Sequence, residues 1–133
     1  MTTGLVDTAL GAIRGVVGDV VEYRGVPFGE PAVGELRWAP PRPVAAWAGA
    51  RDATGFAPDC PQPPHPPMRS GAPGHSEDCL HVDIWAPLDA GERQYPVMVW
   101  FPGGSFLFGS TSAPVSDPTR LVQQGVVVVS VGY

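Results

Sequence analysis

Val97-Met98-Val99-Trp100-Phe101-Pro102-Gly103-Gly104-Ser105-Phe106 joins five consecutive apolar residues to a proline and a glycine pair. A continuous apolar run suits a strand buried on both faces, the situation of parallel sheets covered by helices. Downstream, Val126-Val127-Val128-Val129-Ser130-Val131 repeats the pattern. Between the two, Asp117-Pro118 has the form of an N-cap followed by proline at the first helical position. It predicts a helix over 119–124 that stops at Gly125. Strand, glycine turn, short helix and strand make a βαβ crossover, right-handed by default. The fold class is α/β.

Working outward, Leu80-His81-Val82-Asp83-Ile84-Trp85 alternates apolar and polar residues, the signature of a strand with one buried face. Nearer the N-terminus, 5–8, 12–17 and 20–23 are rich in branched apolar residues and are separated by Gly11 and Gly18-Asp19. They predict a small antiparallel meander. Residues 25–43 and 58–76 are dense in proline, which fixes φ and interrupts hydrogen-bond ladders, so both read as ordered irregular segments. Trp38 and Trp47 are expected to anchor the first by burying their rings. Trp38, Trp47 and Trp85 are read as packing residues rather than substrate contacts. Cys60 and Cys79 flank the second irregular segment. Two fully apolar strands need helices on both faces and further strands beside them, and the sequence supplies one short helix. The 133 residues therefore read as one incomplete domain rather than two small ones.

Composition narrows the function. The eight basic residues are all arginine, against 13 acidic ones, for a formal net charge of −5. With no basic cluster, the phosphate contacts that drive nucleic-acid binding are missing. No apolar run approaches the roughly 18 residues needed to cross a bilayer. No charged start followed by an apolar stretch opens the chain, which predicts a cytoplasmic location while leaving secretion open. Arginine without lysine, beside abundant Ala, Gly, Pro and Val, points to a GC-rich bacterial coding sequence. Gly 17 and Pro 17 accompany 44% hydrophobic residues, so these residues punctuate a folded, turn-rich object.

The glycine pair sits where α/β sheets place ligands, at the carboxyl end of a parallel strand. Gly103 permits a sharp turn there, and N–H groups aimed into the crevice can stabilise a developing oxyanion. From spacing alone, a plain strand-to-loop turn stands beside that reading.

The segment from Val97 to Phe106 resembles the oxyanion loop of the type-B carboxylesterases, the group that includes cholinesterases and bacterial aryl esterases. Three further stretches resemble the same family in its order and spacing: Glu77-Asp78-Cys79-Leu80 running on to Trp85-Ala86-Pro87, the Gly11 to Gly15 strand, and Tyr23 to Pro31 followed by Gly34-Glu35-Leu36-Arg37-Trp38. The resemblance covers nearly the whole chain. It implies the N-terminal part of an α/β-hydrolase fold, with the meander leading into the first buried strands of a central mixed sheet. It further implies that the backbone N–H groups of Gly104 and Ser105 donate to the oxyanion, with a third donor outside this chain. Cys60 and Cys79 would close a loop at the rim of the active-site gorge, braced by an Arg37–Glu77 ion pair. Two reduced cytosolic thiols are the competing reading of the cysteines, and an ordinary exposed pair is that of Arg37 and Glu77.

The sequence departs from the family at Pro102, where His is usual, at Ser105, where Gly is usual, at His81, where an aromatic residue is usual, and at Asp83, where Asn is common. If position 105 needs positive φ, Ser105 carries strain. A serine hydrolase of this fold places its nucleophile in Gly-x-Ser-x-Gly, followed by the acid and then the histidine. Gly103-Gly104-Ser105-Phe106-Leu107 lacks the second glycine, and His65, His75 and His81 all precede Ser105. Ser105 is therefore not read as the nucleophile. The expectation is a carboxylic-ester hydrolase, acting on a small-molecule ester without cofactor or metal, of which this chain supplies the oxyanion segment. Alone, the chain is expected to be inactive and to need the remainder of the domain. Trp100, Phe106 and Phe108 are candidates to line an apolar pocket.

Two rival readings come from other classes. A non-catalytic esterase-like binding module fits the absence of a nucleophile, although such a module has no chemical reason to keep Gly103-Gly104. A zinc module would draw on Cys60, His65, His75, Cys79 and His81, but their spacing forms no compact ligand pair, and six prolines stand between Cys60 and Ser76. His65 and His75 are read as solvated loop residues.

Overall fold

The computed structural model describes residues 4–64 and 70–133. Two sheets hold the chain together. In the first, β1 (Leu5–Thr8) pairs antiparallel with β2 (Gly11–Arg14), and β2 pairs parallel with β5 (Ala50–Asp52). The second has five strands, β3 (Val16–Val17), β4 (Val21–Pro27), β6 (His81–Ala86), β7 (Val97–Trp100) and β8 (Val127–Val131), in the order β3-β4-β6-β8-β7. Its pairs are antiparallel except for β7 with β8. The predicted meander is thus divided between two sheets. The break falls at Gly15, where an added Cβ would strike the Glu22 carbonyl oxygen, so the chain passes too close to β4 to continue β2.

The β7–β8 crossover carries the predicted helix in shorter form, α1 (Thr119–Val122). Asp117 holds its start, its Oδ1 accepting from the Thr119 amide at 2.9 Å and hydroxyl at 2.6 Å. Helix α1 packs on β6 and β8, and Val122, fully buried, meets Val20, Trp85 and Val128 in the core.

Strand β7 lies at the sheet edge, with β8 as its one paired neighbour among the described residues, and its four residues are exposed within residues 1–133. Two expectations are corrected. Trp38 does not bury its ring but stands 94% exposed at φ +64°. Trp47 is half-buried and donates its indole N–H to the Ala12 carbonyl at 2.8 Å. In β6 the buried positions include the polar phase of the alternation, with Asp83 2% exposed and Trp85 5% exposed. Arg24 and Gly25 form a bulge in β4 opposite Asp83, and Gly25, at φ +65°, turns its N–H to the Asp83 Oδ1 at 2.7 Å. Burial raises the Asp83 carboxyl above its ordinary pKa, opposed by hydrogen bonds from Thr111 and the Gly25 amide.

Candidate active site

Pro102 to Gly109 leaves the carboxyl end of β7 as a tight turn. The carbonyl of Gly104 accepts from the amides of Leu107 at 2.9 Å and Phe108 at 3.3 Å. Gly104 lies at φ +152°, and a Cβ there would fall on the Phe108 carbonyl oxygen, so only glycine closes this turn. Ser105 and Phe106 follow at φ +56° and +60°. Two consecutive left-handed residues that are not glycine cost roughly 1–2 kcal/mol each. Among the described residues no acceptor takes the N–H of Gly104 or Ser105. These two N–H groups lie where an α/β sheet presents ligands.

The other predicted residues divide into two groups. Cys60 and Cys79 are joined by a disulfide, their Cα atoms 5.1 Å apart. Arg37 Nη2 meets Glu77 Oε1 at 3.0 Å with both side chains exposed, a pair worth at most about 1 kcal/mol. A cavity of about 220 Å³ borders the turn, its wall including Phe106, Phe108, Gly109, His81, Tyr133 and the disulfide. Trp100, expected beside the two phenylalanines, is not among its lining residues but stands on the exposed edge strand.

No serine–histidine pair forms among the described residues. The Nδ1 of His81 is buried with no partner among the described residues, and desolvation lowers the pKa of this ring despite the opposing charge of Asp78. His75 forms a β-bridge with Asp59, and His65 lies outside the described residues. No group of three or more His, Cys, Asp or Glu side chains among the described residues is placed to hold a metal ion.

A polar cluster behind the turn leaves no mark in the sequence. Ser70 and Ser110 each donate a hydroxyl to Asp59, to Oδ2 and Oδ1 respectively, both at 2.6 Å. Ser112 sits 2.8 Å from Ser110 and 2.9 Å from Ser70, and accepts from the Gly71 amide. Gln62 bonds Gly109 in both directions, its Oε1 accepting from the amide at 2.7 Å and its Nε2 donating to the carbonyl at 2.8 Å. Uncharged polar residues in proline-rich loops follow no periodicity, so only the fold reveals these partners.

A sequence model of the carboxylesterase family matches residues 2–133. The chain is 49% identical over 126 residues to the fumonisin B1 esterase of Sphingopyxis macrogoltabida, covering 95% of this chain and 23% of that protein. It is 40% identical over 141 residues to the phenmedipham hydrolase of Pseudarthrobacter oxydans, covering 100% of this chain and 28% of that protein. Among solved structures, a PNB esterase superposes with a TM-score of 0.91 at 38% identity, covering 99% of this chain and 28% of its own. The chain thus spans about a quarter of the length of the relatives it matches, and its fold is part of an α/β-hydrolase.

Proposed function

The chain belongs to the carboxylesterase family, and from that premise we propose that it is the oxyanion segment of a serine ester hydrolase. The observation that carries this reading is the pair of N–H groups at Gly104 and Ser105 with no acceptor among the described residues, held by a turn that only glycine closes at position 104. A serine from outside residues 1–133 attacks the ester carbonyl carbon while a histidine takes its proton. The carbonyl π electrons move onto oxygen, where the two N–H groups and a third donor stabilise the charge. Collapse of the tetrahedral intermediate expels the alcohol, which receives the proton from histidine. Water then hydrolyses the acyl-enzyme. No cofactor enters this sequence.

The bare strand β7 fits the same reading. Val97, Met98, Val99, Trp100 and Phe101 form one exposed apolar stretch, 45% to 61% accessible. Contiguous apolar surface of this kind marks a face that another element covers. The rest of the hydrolase domain is that cover, and its substrate is a small-molecule ester.

Turnover of p-nitrophenyl acetate by the full-length protein tests the proposal, with labelling of one serine by a fluorophosphonate as the second measurement. Gly104→Ala is expected to lower kcat by about 100-fold or more. Hydrolysis by residues 1–133 alone, lost on Ser105→Ala, would make Ser105 the nucleophile and overturn the account.

A further inference from the structure

The two stems of the glycine turn touch. A Cβ on Gly109, which lies at φ +158°, would meet the Gly103 carbonyl oxygen at 2.9 Å and the Pro102 Cβ at 3.5 Å. The positions of the Gly104 and Ser105 donors therefore depend on what fixes residues 102 and 109. On one stem, the Tyr133 hydroxyl donates to the Pro102 carbonyl at 2.8 Å. On the other, the Gln62 carboxamide pairs with both backbone groups of Gly109 and donates again to the Cys60 carbonyl at 3.1 Å. A carboxamide presents an acceptor and a donor side by side in one plane, as this double bond to a single residue requires. Gln62 so links the disulfide-bearing loop to the base of the turn. The next residue, Ser110, is tied to the same loop through Asp59.

We infer that Gln62 is a positioning residue for the oxyanion donors, acting through Gly109 without touching the substrate. The inference rests on the reading of the turn as an oxyanion hole. Gln62→Met keeps the length of the side chain and removes all three hydrogen bonds. Gln62→Glu at neutral pH keeps the acceptor for the Gly109 amide but sets carboxylate oxygen against the carbonyls of Gly109 and Cys60. Protonation would return a donor to that site.

The test is steady-state hydrolysis of p-nitrophenyl acetate by the full-length protein and both variants, with amide hydrogen exchange followed across 103–109. Gln62→Met is expected to lower kcat by about 10-fold or more, with KM within about two-fold and faster exchange at residues 107–109. For Gln62→Glu, the ratio of variant to wild-type kcat is expected to rise as pH falls through the carboxyl range. A residue that merely stabilises the fold would not produce that pH dependence, and this variant carries the test if Gln62→Met does not fold. Unchanged kcat in an active protein, or a loss confined to KM, overturns the positioning role and leaves the oxyanion reading standing. A wild type with neither turnover nor fluorophosphonate labelling overturns that reading, and the inference with it.

Discussion

Gly104 and Phe108 approach so closely that a Cβ on the glycine would coincide with the phenylalanine carbonyl oxygen. The contact closes the turn from within, because the Gly104 carbonyl also accepts from the Phe108 amide at 3.3 Å. Alanine at 104 has to open the turn and leave a φ of +152°, which L side chains rarely adopt. Gly104→Ala is therefore expected to cost about 100-fold or more in kcat, the scale of a lost oxyanion donor. Stopped-flow hydrolysis of an aryl ester checks it, and a wild-type rate would separate the turn from the chemistry.

Ser105 gives the opposite prediction for stability. Its φ of +56° costs roughly 1–2 kcal/mol that glycine would not incur. Glycine, however, loses about 0.4–1 kcal/mol more chain entropy on folding. Ser105→Gly is expected to stabilise the protein by up to about 1.5 kcal/mol, read from the urea midpoint at unchanged m-value. A destabilised variant would mean that the serine side chain makes a compensating contact.

The disulfide predicts a redox dependence. Cys60 and Cys79 are 19 residues apart in sequence, and cross-linking a loop of that size stabilises by about 3 kcal/mol in the chain-entropy model. Urea unfolding with and without reductant should show a difference of that order. Equal midpoints would indicate that the thiols are already reduced in the starting protein.

Asp83 predicts a pH dependence. Burial raises its folded pKa, so the native state binds more protons than the unfolded chain between the two pKa values. Its contribution is favourable at low pH and is lost as pH rises through the carboxylate range. Asp83→Asn removes that titration while retaining an acceptor for the Gly25 amide. The variant is expected to melt higher than wild type near pH 7, with the gap closing as pH falls below the folded pKa. A constant gap across pH would show that desolvation of the carboxylate is not the cause.

The strands with branched apolar residues were legible from sequence, because β-branched side chains and glycine breaks define them locally. Strand β5 was not, since Ala50-Arg51-Asp52 has no apolar phase and is set by parallel pairing with β2. Asp83 defeated the alternation rule because a bulge opposite it supplies the hydrogen bond that makes its burial tolerable. The glycine turn was visible because backbone geometry imposes glycine at 104, although an added Cβ at 103 would meet nothing. Gln62 left no such mark, since a carboxamide two residues beyond a cysteine looks like any loop residue until Gly109 is folded against it.

The proposed role of the Gly104 and Ser105 N–H groups is to bind the oxyanion. The most direct measurement is a crystal structure of the full-length protein carrying a phosphonate adduct on its nucleophile, which mimics the tetrahedral intermediate. The phosphonyl oxygen is expected about 2.7–3.1 Å from both backbone nitrogens. An adduct oxygen held by other groups, with neither N–H within hydrogen-bond distance, would contradict it.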